Sequence, residues 1–418
     1  MFKAIKKIQQ LSKEKKAMLT LFFVYEFVNT TVGIFIGAFV FLRTGSLWLL
    51  ALFVLIRFTA AFLAFSGFGY LMARRGYSMK WNYLRSFVIY FIGFIWLAST
   101  SHIAPYLLIF ALIDGMGLGL FWLGNHTYGL LFTRNEDGDR DFYLSMLHAG
   151  TQLISILGPL AGTLLIFLSE RVFKMETLSL LFWLIPLVYL ASLPFLFSLP
   201  HFIPKSITKL EIKSFFRDHV SKKIRLYYFF DGVTIVSNVF VALFSIIALK
   251  TFINIGLWQT AVGIISFFSI IILANIRYEG NRLRIMAYAI IGFIIALSSL
   301  MFSNISAYFY IAFSLLMIVF GPMYRVSQQA IDLRSIDFLA SGRSSFYPGI
   351  LYREVVLYIG RFVALSILIL IGVLLKNDII LAQIGILISI SALIINWFVA
   401  RSMIGEHKSI NNQNVKQV

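Results

Sequence analysis

Acidic and basic side chains interrupt several long apolar stretches of this 418-residue sequence. Placing a charge at the centre of a bilayer costs roughly 2.5–3.5 kcal/mol on insertion scales. Because a low-dielectric environment favours the neutral form of a carboxyl group, Glu26 and Asp114 could bind and release a proton, and His148 could take part in its transfer. The alternative for Glu26 is a permanent ion pair with Arg57 or Arg361. Asp114 could equally pair with a central arginine, and His148 could be a hydrogen-bonded packing residue.

Other polar and aromatic side chains in the same stretches could line a substrate path. Glu354 and Arg361 are seven residues apart, so they share one face of a helix. An arginine there could bind an anionic group by paired hydrogen bonds, or it could neutralise an acid on the first or second helix. The cavity candidates are Asn29, Arg57, Trp122, Asn125, His126, Gln152, Asp231, Arg325, Gln328, Glu354, Tyr358 and Arg361.

Arg325 follows Gly321-Pro322, which predicts a break in its helix. A broken membrane helix frees backbone groups and often marks a binding region or a hinge. The simpler alternative is a proline kink with Arg325 reaching the cytoplasmic interface.

The helices that must position these residues follow from composition. Hydrophobic residues make up 60% of the chain and charged residues 13%, and the mean hydropathy is +0.87. About 20 consecutive apolar residues cross a bilayer as a helix. We therefore predict an all-α polytopic membrane protein, with spans at 17–42, 46–70, 83–100, 104–131, 143–168, 177–200, 226–249, 253–276, 285–303, 306–331, 346–375 and 378–400.

The distribution of positive charge predicts the orientation. Of the 36 Lys and Arg residues, 27 fall in predicted loops on the side of the two termini and five on the other side. Because basic loops stay in the cytoplasm, we expect both termini to be cytoplasmic. This asymmetry, with contacts to anionic lipids, also accounts for the net charge of +18 without nucleic acid.

Neither a metal site nor a cofactor is expected. There is no cysteine, so disulfides and thiolate metal sites are excluded. The acidic segment 135–141 does not match the spacing of an EF-hand and is interpreted as a solvated turn. The sequence contains no Walker A motif, which favours transport driven by an ion gradient, or downhill, over ATP hydrolysis.

The loop after the second span carries a recognisable pattern. Gly69, Arg74 and Gly76 fit the pattern G-x-x-x-D-[RK]-x-G-[RK]-[RK], although Ala73 takes the acidic position and Tyr77 and Ser78 take the last two. This loop and the twelve-span layout resemble the major facilitator superfamily. The resemblance implies a gating motif of Gly69, Arg74, Arg75, Gly76 and Asp141, in which the acidic segment before the fifth span pairs with the arginines.

The resemblance also implies two six-helix bundles. We expect a basic segment at 1–16, bundles at 17–200 and 226–402, a cytoplasmic linker at 201–225 and a tail at 403–418. In this fold the third, sixth, ninth and twelfth helices face lipid, and those four predicted spans carry no charge in their cores. Gly158-Pro159-Leu160-Ala161-Gly162 resembles part of a motif of exporters in this superfamily, although Ala111 stands where proton-coupled drug exporters usually carry an arginine.

We therefore predict a secondary active transporter, not an enzyme. It would move a small organic molecule by alternating access, coupled to protons and directed outward. The alternatives are uptake of an anionic or polar metabolite, favoured by Arg57, Arg325 and Arg361, a lipid translocase, and a non-transporting membrane sensor. The expected partners are the substrate, protons and membrane lipids, with no nucleic acid. We expect a monomer in the inner membrane of a bacterium.

Overall fold

The computed structural model describes residues 11–100, 104–133, 137–202, 219–274, 282–340 and 347–415, and in these ranges every regular element is helical. The predicted all-α fold is confirmed. The helices are α1 (Lys13–Thr44), α2 (Leu47–Arg75), α3 (Met79–Thr100), α4 (Ala104–Thr133), α5 (Asp137–Phe167), α6 (Ser179–Phe197), α7a (His219–Thr234), α7b (Val236–Leu249), α8 (Phe252–Ala274), α9 (Arg282–Met301), α10 (Ala307–Ala340), α11 (Tyr347–Leu375) and α12 (Asp378–Val415).

Twelve of the described spans are long and apolar enough to cross a membrane, α7a and α7b forming one of them. Only structures that satisfy their own backbone hydrogen bonds cross a bilayer, and helices do so within one segment. The chain is therefore a multi-pass membrane protein. Each predicted span corresponds to one helix except 226–249, which α7a and α7b form together.

Four predicted boundaries were wrong by more than a few residues. The helix α7a begins at His219, before the predicted start at 226. The helix α10 continues to Ala340, beyond the predicted end at 331, and α12 continues to Val415. The helix α5 begins at Asp137, so the segment from Asp137 to Asp141 is helical and not a solvated turn. In each case polar residues extend a helix past its apolar part, and hydropathy alone does not register such an extension.

The exposed faces of the helices are apolar, as lipid requires. On α6, Trp183, Leu187 and Leu190 are exposed at helical spacing. On α9, Tyr288, Ile291 and Ile295 are arranged in the same way. Spacings of three and four residues place these side chains on one stripe of each helix.

The chain forms two compact units. The first unit contains Met1–Arg43, Thr59–Ile207 and Thr251–Ile264. Small residues bring its helices close together. A side chain on Gly119 of α4 would overlap the backbone of Ala61 on α2, and one on Gly124 would overlap the ring of Tyr83 on α3. Small residues commonly permit this backbone approach in membrane proteins.

The second unit contains Thr44–Phe58, Thr208–Lys250 and Ile265–Val418. The start of α2 belongs to it: the backbone N–H of Leu47 donates a hydrogen bond to Asp378 at 2.9 Å, and Trp48 packs on Gly372 of α11. Most of the predicted linker, 203–218, lies outside the described residues, and the division into two six-helix bundles stays a prediction.

Candidate functional site

The second unit is organised around a close crossing of α7a and α11. A side chain on Gly232 would overlap the carbonyl oxygen of Leu357, and one on Gly360 would overlap the carbonyl oxygen of Phe229. The two backbones therefore meet at this glycine pair. Each glycine is adjacent to a charged residue, Asp231 on α7a and Arg361 on α11, so the crossing places both charges beside it.

Arg353, two turns before Arg361, forms the main ion pairs of the site. Its guanidinium donates to the carboxylate of Asp332 on α10 at 3.2 Å and to that of Glu354 at 2.8 Å. The three side chains are 14–18% exposed. The guanidinium also lies over the ring of Tyr228, 5.7 Å from its centroid. Arg353 thus connects α10 to α11 and is a counter-charge that two carboxylates share.

Asp231 has a different environment. The side-chain amide of Gln328 on α10 donates a hydrogen bond to its Oδ1. Asp332, Arg353 and Arg361 interact with it electrostatically, but within the described ranges it forms no salt bridge. Its direct partner is therefore a neutral group.

Arg361 stacks on an aromatic ring instead of pairing with an acid. Its guanidinium lies 4.7 Å from the ring centroid of Phe58 on α2, a cation–π arrangement. Glu354 and Asp231 attract it electrostatically. Its Nε is buried without a hydrogen-bond partner among the described residues. Because arginine presents its donors in a fixed planar fork, Arg361 retains capacity to bind an acceptor.

The first unit carries an aromatic cluster in place of these ions. Tyr25 on α1 stacks on Phe121 of α4 at 3.6 Å between centroids. Trp122 lies edge-on to both rings and packs on His126 at 5.3 Å. Asn125 accepts a long hydrogen bond of 3.5 Å from Tyr83. Three predicted cavity residues, Trp122, Asn125 and His126, are therefore next to one another.

The three predicted proton carriers all belong to the first unit. Glu26 is half-buried on α1, Asp114 is buried on α4 and His148 is exposed on α5. Two further cavity candidates lie in this unit, Asn29 exposed and Gln152 half-buried. Their roles stay predictions.

In the second unit the fold brings together Asp231, Gln328, Glu354 and Arg361. Tyr358 lies on the same helix as Arg361 and packs on Phe362. Arg57 is half-buried next to Phe58.

The break predicted at Gly321-Pro322 is wrong, because α10 continues through Pro322, and the side chain of Arg325 is exposed.

The predicted gating motif lies at the end of α2. Gly76 adopts φ = +68°, a left-handed conformation that glycine reaches without steric cost, and its N–H donates to the carbonyl of Met72 at 3.0 Å. It therefore caps the helix. Gly69 is buried, and Arg74 and Arg75 are exposed. The side chain of Asp141 lies outside the described residues, so its pairing with the arginines stays a prediction.

Sequence reasoning missed two classes of site residue. Asp332 lies one residue beyond the predicted end of its span, so it was assigned to a loop. Gly232 and Gly360 make the crossing possible but were not singled out. The available signal was the placement of a glycine directly beside a charge, as Asp231-Gly232 and Gly360-Arg361.

Comparison with known proteins supports the fold. No protein-family profile matches the sequence, and no curated protein is similar to it. Among solved structures, the chain is similar to a variant of the nucleoside transporter NupG, with a TM-score of 0.67 and 14% identity over 93% of this chain and 99% of that one. It is also similar to the Escherichia coli fucose:proton symporter FucP, with a TM-score of 0.59 and 15% identity over 93% and 98%. A bacterial metal transporter gives a TM-score of 0.60 and 14% identity over 94% and 99%.

These likenesses extend over nearly the whole of each chain. The chain therefore has the major facilitator fold, and the fold predicted from the loop after α2 and from the twelve-span layout is confirmed.

Proposed function

We propose that this protein is a secondary active transporter that moves a small organic molecule by alternating access, coupled to protons. The observation that carries the proposal is the ionic cluster of the second unit, whose charged side chains are half-buried, set in a helix bundle with apolar exposed faces. Charged groups inside a membrane domain are costly, and transporters use them for substrate and ion binding near the middle of the bilayer. The named functions of the structural neighbours, transport of nucleosides, fucose with protons and metal, agree with this class.

Proton coupling is supported by the supply of carboxyl groups. Glu26 and Asp114 lie in the spans of the first unit, and Asp231 and Glu354 in those of the second. A carboxyl group that changes its environment during transport can take up a proton on one side and release it on the other.

A second candidate function is uptake of an anionic metabolite, and Arg361 favours it. Its buried Nε lacks a protein acceptor within the described structure. A carboxylate or phosphate of the substrate would provide one, held by paired hydrogen bonds. The aromatic cluster around Trp122 favours an organic body with a planar ring, since rings stack on aromatic side chains.

The segment that resembles an exporter motif does not assign the direction of transport, which needs an experiment. Gly158 and Gly162, the glycines of the segment that resembles an exporter motif, pack directly against Thr30, Thr31 and Phe35 of α1. Helix packing accounts for both of them, so the assay must measure flux in both directions.

The test is a proton-flux assay with the full chain in proteoliposomes that contain a pH-sensitive dye. The probes are nucleosides, fucose, small dicarboxylates and aromatic carboxylates, each added outside or preloaded inside. We expect at least one class to drive proton movement. Arg361→Gln should abolish flux of an anionic probe, and Arg361→Lys should restore part of it.

Empty liposomes and liposomes with a protein of unrelated fold provide the baseline. If every probe gives this baseline in both directions while the protein remains folded, the transporter proposal is wrong, and the non-transporting sensor gains support. If flux occurs with neutral probes only and is insensitive to Arg361→Gln, the anion hypothesis alone fails.

A further inference from the structure

The ionic cluster of the second unit contains more acids than bases. Asp231, Asp332 and Glu354 are its carboxyl groups, and Arg353 and Arg361 are its guanidiniums. Two guanidiniums balance two carboxylates. With all three carboxyl groups ionised the cluster has a charge of minus one, and with one of them protonated it is neutral. Because ionic hydration is lost inside a protein, the neutral state of the cluster, with one carboxyl group protonated, is favoured over the state with a net charge.

The geometry identifies which carboxyl group is in excess. Asp332 and Glu354 each accept a hydrogen bond directly from the guanidinium of Arg353. Asp231 instead accepts one from the neutral amide of Gln328. A proton placed on Asp332 or Glu354 would remove an ion pair. A proton placed on Asp231 would remove none.

The charged groups that act on Asp231 are Asp332, Arg353 and Arg361. From its own helix it faces Tyr227 and Tyr228, from α10 Tyr324, Gln328 and Asp332, and from α11 Arg353 and Arg361. The residues of α12 that line the groove beside Phe230 and Val233 are apolar apart from one hydroxyl, namely Ile384, Leu387, Ile388, Ser391, Ala392 and Ile395.

Gln328 can serve both protonation states. Its amide N–H donates to the ionised carboxylate. Its carbonyl oxygen can accept from the protonated carboxyl group after the amide rotates, since a glutamine carries both a donor and an acceptor. Asp231 therefore keeps a hydrogen-bond partner whether or not it holds a proton, and the crossing at Gly232 fixes its position.

We propose that Asp231 is a proton-binding site of this protein, with Gln328 as its positioning residue. The inference rests on the proposed proton-coupled transport and names the residue that would carry the proton. It places the site in the second unit. Glu26, Asp114 and His148, the candidates in the first unit, would then have other roles, and the same experiment tests the two carboxyl groups among them.

The test needs no substrate. The full-length protein is reconstituted in vesicles of phosphatidylethanolamine and phosphatidylglycerol, and infrared difference spectra are recorded as the pH is raised stepwise. A protonated carboxyl group has a C=O stretching band that disappears on ionisation. We expect one titrating band of a buried carboxyl group, absent in Asp231→Asn and moved in frequency in Asp231→Glu. Gln328→Leu should shift the midpoint of its titration.

Glu26→Gln and Asp114→Asn are the matched controls, and both should keep the band. Survival of the band in folded Asp231→Asn, or its loss in either control, overturns the proposal. Absence of any titrating carboxyl band in the unmodified protein also overturns it. If the band behaves as expected but no probe gives flux, the transport proposal fails while the proton site stands.

Discussion

The two units of this protein use the same packing device and place different chemistry beside it. In the first unit, Gly158 of α5 contacts Thr30 and Gly162 contacts Thr31, both on α1. In the second unit, α7a and α11 cross with a glycine on each helix, Gly232 and Gly360, so that backbone meets backbone. The second crossing therefore leaves no room for even one added carbon atom.

The residues beside the two crossings differ in charge. Around α1 the first unit has Glu26 and a stack of aromatic rings. Around α7a the second unit has acids and guanidiniums in contact. An aromatic cluster suits an organic molecule with a planar ring, and an ionic cluster suits a proton or an anion. If the protein transports as proposed, we expect its two units to contribute different functions to that transport.

The largest expected effect is on the crossing itself. Gly232→Leu should prevent folding of the second unit, because the new side chain would displace the backbone of α11 at Leu357. Overpacking of a core typically costs about 1–3 kcal/mol, and more where backbone must move. The measurement is the yield of monodisperse protein in size-exclusion chromatography. Gly67→Leu is the control, since a Cβ at Gly67 meets no atom within 4 Å. Equal yields of the two variants would contradict the close crossing.

A smaller but still large effect is expected at Arg353. Arg353→Met leaves the carboxylates of Asp332 and Glu354 without their counter-charge, and breaking a buried pair typically costs about 3–5 kcal/mol. The control in the first unit is Arg43, which pairs with Glu176. These side chains are 33% and 50% exposed. An exposed pair is worth roughly 0–1 kcal/mol.

Unfolding in detergent micelles measures both variants. We expect Arg353→Met to lower the free energy of unfolding several times more than Arg43→Met. Similar small losses would mean that water enters the ionic cluster and that the contrast in charge between the units has little energetic weight. Adding Asp332→Asn to Arg353→Met should recover part of the loss, because it removes one of the unpaired charges.

Features that depend on one apolar segment could be predicted from the sequence, and features that depend on contacts between helices could not. The spans are predictable, because each one carries its own apolar signal. The polar end of α10 is not, because helical hydrogen bonds continue through Asp332 after the apolar pattern has stopped. The meeting of Asp231, Gln328, Glu354 and Arg361 depends on three helices distant in sequence. Hydropathy predicted that these side chains avoid lipid, but it could not predict which of them contact one another.

The smallest expected effect concerns the aromatic cluster of the first unit. Phe121 is fully buried and stacks on Tyr25 at 3.6 Å between centroids. Phe121→Leu keeps most of the apolar volume but removes the ring, so it should lower the free energy of unfolding by about 1 kcal/mol, the typical value of an aromatic pair beyond its buried area.

The control is Phe362→Leu in the second unit. That ring is 44% exposed and lies 5.9 Å from Tyr358, so its removal should change stability little. The stack also fixes Trp122, which lies edge-on to both rings. Phe121→Leu should therefore weaken transport of a ring-containing probe more than transport of a probe without a ring. Equal loss for both probes would mean that the cluster only packs the first unit, and the assignment of aromatic recognition to this unit would be wrong.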